Sequence, residues 1–215
     1  MATSTQLKDM LTLESEPGPF ISIFVPYSGV NNAEFEQLVI NARRNLAQQD
    51  PKQSWRPYQA KLNHLKFPRF IRHRTLKGFA IYLGPTILRV FRLNYIVHPT
   101  SIVNDTMWII PLIMETQFKH LHGSRLMYKN AIKNIRTHYR LANHRKLTSH
   151  DLTQIVKIAP AGLIDTLLIN RDVPFKIKKI LNDLAITTIG FGGRVFVLPK
   201  HDIPNQIPAA IIKRK

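Results

Sequence analysis

The chain has 215 residues, with 31 Lys or Arg against 13 Asp or Glu, a formal net charge of +18 and no cysteine. That length can bury a real core in one domain or two, and the missing cysteines exclude disulfides, thiolate zinc sites and cysteine nucleophiles. With 44% apolar and 9% aromatic residues, the composition is that of a folded protein, so the charge does not signal disorder.

Thr3 to Leu13 reads as an opening helix with Leu7, Met10 and Leu11 on one face, stopped by Glu16-Pro17-Gly18-Pro19. Phe20 to Val25 alternates around Ile21, Ile23 and Val25 and predicts a strand closed by Pro26. From Asn31 to Gln48, Phe35, Leu38, Val39, Ala42 and Leu46 recur at helical spacing. A further helix is expected from Pro57 to about Leu65, and Phe67 to Lys77 is too basic and interrupted to assign. Phe79 to Leu83 and Thr86 to Leu93, joined by Gly84-Pro85, predict a hairpin. Ser101 to Val103 and Trp108 to Ile113 read as two more strands.

Ser124 to Ala142 carries the strongest helical pattern. Tyr128, Ile132, Ile135, Tyr139 and Ala142 form one stripe, and Lys129, Lys133, Arg136 and Arg140 form a second beside it. Beyond it, Ser149 is expected to cap a helix reaching Ala159. Thr166 to Ile169 then predicts a strand, Phe175 to Thr187 a helix, Gly190 to Gly193 a turn, and Arg194 to Leu198 and Ala209 to Lys213 strands. The expected fold is α+β. Residues 1–114 form an N-terminal mixed domain with a small antiparallel or mixed sheet, 115–148 a basic helical connector, and 149–215 a C-terminal layered α/β domain.

Charge is the second signal. Between Asp50 and Asp105 stand ten Lys or Arg and no carboxylate, and between Thr116 and His150 stand eight more, again with no carboxylate. A surface charged only for solubility mixes its signs, because interspersed pairs avoid self-repulsion. Residues 115–148 hold 8 cations and 1 acid, against 13 and 7 before them and 10 and 5 after, so the shortest segment is the most densely charged. Unpaired cationic tracts predict a polyanionic partner, and RNA is the expected one. The candidate RNA-binding residues are Arg69, Arg72, His73, Arg74 and Lys77 in one patch. Lys129, Lys133, Arg136, Arg140, Arg145 and Lys146 form the other.

Several runs together resemble a bacterial family related to the archaeal and eukaryotic peptide-chain release factors. Ile71-Arg72-His73-Arg74-Thr75-Leu76-Lys77-Gly78-Phe79-Ala80-Ile81-Tyr82-Leu83 is similar to a family signature in which an aromatic and a His precede a Gly-Leu-Ala strand. Ile23-Phe24-Val25-Pro26 resembles its early IYLPT strand, with Tyr27 where Thr is usual, and Arg89-Val90-Phe91-Arg92-Leu93 its RVYRL strand. Ala161-Gly162-Leu163-Ile164-Asp165-Thr166-Leu167-Leu168 is similar to AGRVDTLLV, and Gly192-Gly193-Arg194-Val195-Phe196-Val197-Leu198-Pro199 to GGRVYVLP. Ile203-Pro204 followed by Pro208-Ala209-Ala210-Ile211-Ile212 is similar to the closing MPGGGPAAAILRY. The matches cover about two thirds of the chain. Family members are longer, because a middle domain separates these halves; in full release factors it holds the Gly-Gly-Gln loop of peptidyl-tRNA hydrolysis. No Gly-Gly-Gln occurs here, since Gly192-Gly193 is followed by Arg194. The resemblance therefore implies a partner (the ribosome, rRNA or tRNA) and no catalytic residue.

The remaining chemistry candidates are weak. His120 and His122 could pair on a strand face, but no acid or thiol stands near them in sequence, so no metal site is expected. Gly190 to Gly193 precedes a strand, whereas a phosphate loop precedes a helix. The 13 carboxylates are scattered, with Asp165 and Asp183 explained by turn and helix-surface positions. No secretory signal or membrane span is legible, and a cytoplasmic chain without cofactor is expected. The function expected is a non-enzymatic RNA-binding protein that associates with the ribosome or tRNA and modulates translation in rescue, stalling or dormancy. The alternatives are a scaffold whose basic surface meets an acidic protein, and a remote hydrolase acting on peptidyl-tRNA or nucleic acid. Any further protein partner is unknown.

Overall fold

A computed structural model describes Leu7, Leu11 and residues 18–27, 32–65, 77–121, 125–204 and 208–213. The fold is α+β, with six α-helices and two four-stranded sheets among the described residues. The chain divides into two compact units, Met1–Glu115 and Thr116–Lys215. The opening helix expected over Thr3–Leu13 lies outside the described residues except at Leu7 and Leu11.

The first unit holds β1 (Phe20–Pro26), α1 (Asn32–Gln49), α2 (Arg56–Asn63), β2 (Gly78–Leu83), β3 (Leu88–Leu93) and β4 (Thr100–Asn104). Its sheet runs β3-β2-β1-β4 and is antiparallel throughout. Ile21, Ile23 and Val25 pack under Leu38, Ala42 and Leu46 of α1 and Tyr58 and Leu62 of α2. Each such large apolar side chain, once fully buried, stabilises by about 1.5–3 kcal/mol. The strand is buried on its other face as well, from Phe20 through Val25, where Phe24 and Phe91 meet the ring of Tyr82 edge-on. That double coverage exceeds the one-sided alternation read from sequence. The hairpin forms as expected, with Leu83 opposite Leu88 and the Gly84 N–H donating to Ile87 C=O at 3.0 Å.

Trp108 to Ile113, expected as a strand, is not one. The Trp108 N–H donates to Ser22 Oγ (3.1 Å) and its C=O accepts from the Tyr82 hydroxyl (2.9 Å), so its backbone groups are satisfied by side chains of the sheet. From Ile110 the chain is helical through Leu121, forming α3. Pro111 sits in the first turn, where a missing N–H leaves no broken bond. The apolar run was ambiguous because burial on all sides erases the helical period. Glu115, fully buried on this helix, accepts from the N–H and the side-chain amide of Asn94, both at 2.7 Å.

The second unit holds α4 (Arg125–His144), β5 (Thr148–Ser149), α5 (Leu152–Ile158), β6 (Ile164–Asn170), α6 (Phe175–Gly190), β7 (Arg194–Leu198) and β8 (Ala209–Ile212). Its sheet runs β5-β8-β6-β7, with β6 and β7 parallel across α6 and the other pairs antiparallel. Ile132, Tyr139 and Ala142 of α4 pack on Leu168, Leu198, Ala209 and Ile211. The segment 115–148, expected as a connector, thus places its main helix in the second core. Ser149, expected as a helix cap, is in β5; Asp151 is the cap, its Oδ1 accepting the Thr153 N–H at 2.9 Å. The β7 edge is covered by one side chain: the Gln117 amide donates to Val195 C=O (2.9 Å) and accepts from Val197 N–H (3.1 Å). At the turn into β7, a Cβ on Gly193 would lie 2.6 Å from Ile164 O, so only glycine lets the two strands close there.

Candidate nucleic-acid interface

The candidate interface grows from the two stripes of α4. A helix that buries Ile132, Tyr139 and Ala142 must turn the residues one position further round toward the flank of that face. Lys129, Lys133, Arg136 and Arg140 occupy that flank, and all four are exposed. They line one groove of about 610 Å³ together with Tyr128, Ile132, Asp202, Ile203 and Pro204. Cations form one wall, and Ile132, Ile203 and Pro204 supply apolar surface beside it.

Within the groove the four cations are not equivalent. Arg136 Nη2 donates to His201 C=O at 2.6 Å and pairs with Asp202 Oδ1 at 3.3 Å, and its Nε reaches Asp202 C=O at 3.4 Å. Asp202 Oδ2 accepts from the Tyr128 hydroxyl at 2.6 Å. Burial, with the Asp202 bond adding to it, pushes the Tyr128 hydroxyl up to about 12, so it stays protonated as that donor. Lys129, Lys133 and Arg140 have no carboxylate partner among the described residues. Three of the unit's other acids are used elsewhere: Asp151 caps α5, Asp165 pairs with Arg194 at 3.0 Å, and Asp172 pairs with Arg171 at 3.2 Å.

The far end of α4 holds the next two expected residues. The Lys146 N–H donates to Asn143 C=O and the Leu147 N–H to Ala142 C=O, a Schellman closure. Lys146 sits at the left-handed position of that closure with φ 57°, where glycine is usual. Arg145 and Lys146 are both exposed but lie outside the groove. Nearby, the Tyr139 hydroxyl shares a hydrogen bond with His150 Nε2. Burial raises the Tyr139 hydroxyl and lowers His150, which favours the neutral form of both.

The first expected patch is barely represented. Arg69, Arg72, His73 and Arg74 lie outside the described residues, and Lys77 is exposed just before β2, where its N–H donates to Leu93 C=O at 2.9 Å. His120 lies in α3 rather than on a strand, and the side chains of His120 and His122 fall outside the described residues. Among the described residues no group of three or more His, Asp or Glu could hold a metal. Asp165 is engaged by Arg194 and by the Thr166 hydroxyl at 2.7 Å. Burial would raise its carboxyl, but those two bonds outweigh it and hold the group below the usual carboxylate value. Tyr128 and Asp202 are the polar groove residues that the sequence reading missed as a site. Asp202 is 66 residues from Arg136 and 74 from Tyr128, and no local pattern links them. The chain matches no protein-family model and no curated protein. No helix among the described residues is long and apolar enough to cross a membrane.

Proposed function

We propose that this chain is a non-enzymatic, cytoplasmic RNA-binding protein that associates with the ribosome or tRNA and modulates translation, in rescue, stalling or dormancy. The observation that carries the reading is the row on α4. Lys129, Lys133 and Arg140 are exposed along one groove, with no carboxylate partner among the described residues. Bringing such cations together costs self-repulsion that a phosphate backbone offsets, with release of condensed counterions as the driving force. The resemblance of both halves to the release-factor-related family supplies the choice of translation among RNA-dependent processes. Without a middle domain carrying Gly-Gly-Gln, the chain would occupy such a site without cleaving peptidyl-tRNA.

Sucrose-gradient sedimentation of a cell lysate tests this. The protein should travel with ribosomal particles or tRNA at low salt and shift toward the top as salt rises. Protein that stays at the top in both conditions contradicts the reading. The apolar surface of Ile132, Ile203 and Pro204 beside the cations also suits an acidic amphipathic protein segment. Nuclease treatment separates the two, because a protein complex survives it.

A further inference from the structure

Resting on the RNA-binding reading, we infer that the α4 groove holds an extended phosphodiester strand through three cations, Lys129, Lys133 and Arg140. Arg136 is its positioning residue, neutralised by Asp202. The helix rise of about 1.5 Å per residue sets Lys133 about 6 Å beyond Lys129 and Arg140 about 10 Å beyond Lys133. A compact mononucleotide or free phosphate reaches one or two of these charges; a strand running along the helix reaches all three.

Arg136 sits inside this row and faces the other way in chemistry. Its guanidinium is spent on His201 C=O and Asp202, and the Asp202 side chain, only 12% exposed, is held from its other oxygen by Tyr128. A carboxylate this close to a polyanion track is unfavourable for binding unless it does something else. Here it fixes the 200–202 turn against α4 and keeps Ile203 and Pro204 as the groove's far side. Asp202 therefore lowers the groove's affinity for phosphate while setting its shape.

The test titrates a labelled single-stranded RNA oligonucleotide into the full chain at several salt concentrations. It compares wild type with Lys133→Gln, Arg136→Gln, Arg136→Lys and Asp202→Asn, and records the melting of each. Lys133→Gln should weaken binding roughly threefold to tenfold and make the salt slope shallower by about 0.7, with melting unchanged. Arg136→Gln should weaken binding less than Lys133→Gln does, because it removes no phosphate contact but leaves the Asp202 charge beside the track. The slope should stay nearly intact, while melting falls by roughly 4 °C. Asp202→Asn should tighten binding and steepen the slope by about 0.7, because it releases Arg136 to the ligand. Should Asp202→Asn fail to fold, Arg136→Lys gives the same information. It loses the planar clamp yet keeps the charge, so melting falls while affinity holds or rises.

An Arg136→Gln protein that melts normally and loses as much affinity and slope as Lys133→Gln overturns the inference and leaves the RNA reading standing. A wild-type chain that binds no RNA removes the reading itself, and the three-cation track with it. Displacement of the RNA by poly-glutamate at matched charge concentration would overturn the choice of phosphate over carboxylate.

Discussion

Helices α1 and α4 do the same mechanical job with opposite surfaces. Each lays one stripe on a four-stranded sheet, Leu38, Ala42 and Leu46 in the first unit and Ile132, Tyr139 and Ala142 in the second. Along α1 two glutamates, Glu34 and Glu36, offset Arg43 and Arg44, and the exposed Gln37 amide donates to Asn41 at 3.0 Å. Along α4 stand Arg125, Lys129, Lys133, Arg136 and Arg140 with no carboxylate at all. Packing a helix on a sheet does not require that imbalance, since α1 manages without it. Packing therefore does not account for the extra charge of α4.

If the packing roles are equal, truncation in either helix should hurt equally. Leu46→Ala and Ile132→Ala, at positions 1% and 5% exposed, should each cost about 2–5 kcal/mol in urea unfolding. A much smaller loss for Ile132→Ala would mean that α4 is only loosely docked. The surfaces should then part company. Lys129→Gln with Lys133→Gln should lower RNA affinity about tenfold or more without changing the unfolding midpoint. Arg43→Gln with Arg44→Gln on α1 should leave binding nearly unchanged. Equal losses from the two pairs would show that only total charge matters.

Two smaller effects sharpen the view of the α4 end. Lys146→Gly removes the left-handed strain of a side chain at φ 57°. It should raise stability by about 0.5–1 kcal/mol, since the strain relieved exceeds the entropy that glycine adds to the unfolded chain. No gain in thermal unfolding would remove strain from the account. The smallest effect is in pH. Folding depresses the pKa of His150 below its usual 6.5, so the folded state binds fewer protons than the unfolded one. That contribution is fully present above about 6.5 and is lost as pH falls through the depressed folded value. A His150→Gln chain should lose less stability than wild type over that acid window, and identical profiles would refute the assignment.

Local signals carried much of the architecture. Gly84-Pro85 between two β-rich runs placed the β2–β3 hairpin, and the double stripe of α4 gave both its packed face and its cation row. The Trp108–Ile113 run was misread because burial of all but Pro111 removes the contrast between faces on which period depends. Ser149 and Asp151 are both good caps, and the choice between them was made by the pairing of Ser149 with Ala210, which sequence does not display. The groove was half legible. Its cations share one helix, whereas Asp202 reaches it only after β6, α6 and β7 have folded the chain back. Consequently Arg136 read as a fourth phosphate contact, and only the fold shows it tied to a carboxylate.

If the proposal holds, the unbalanced helix α4, and not the balanced α1, meets RNA. Ultraviolet cross-linking of the full chain to cellular RNA, followed by mass spectrometry of the adducts, tests it most directly. Cross-linked peptides from α4 spanning Lys129 to Arg140, with α1 peptides unmodified, are the result expected. Adducts confined to α1, or none on either helix, would contradict it.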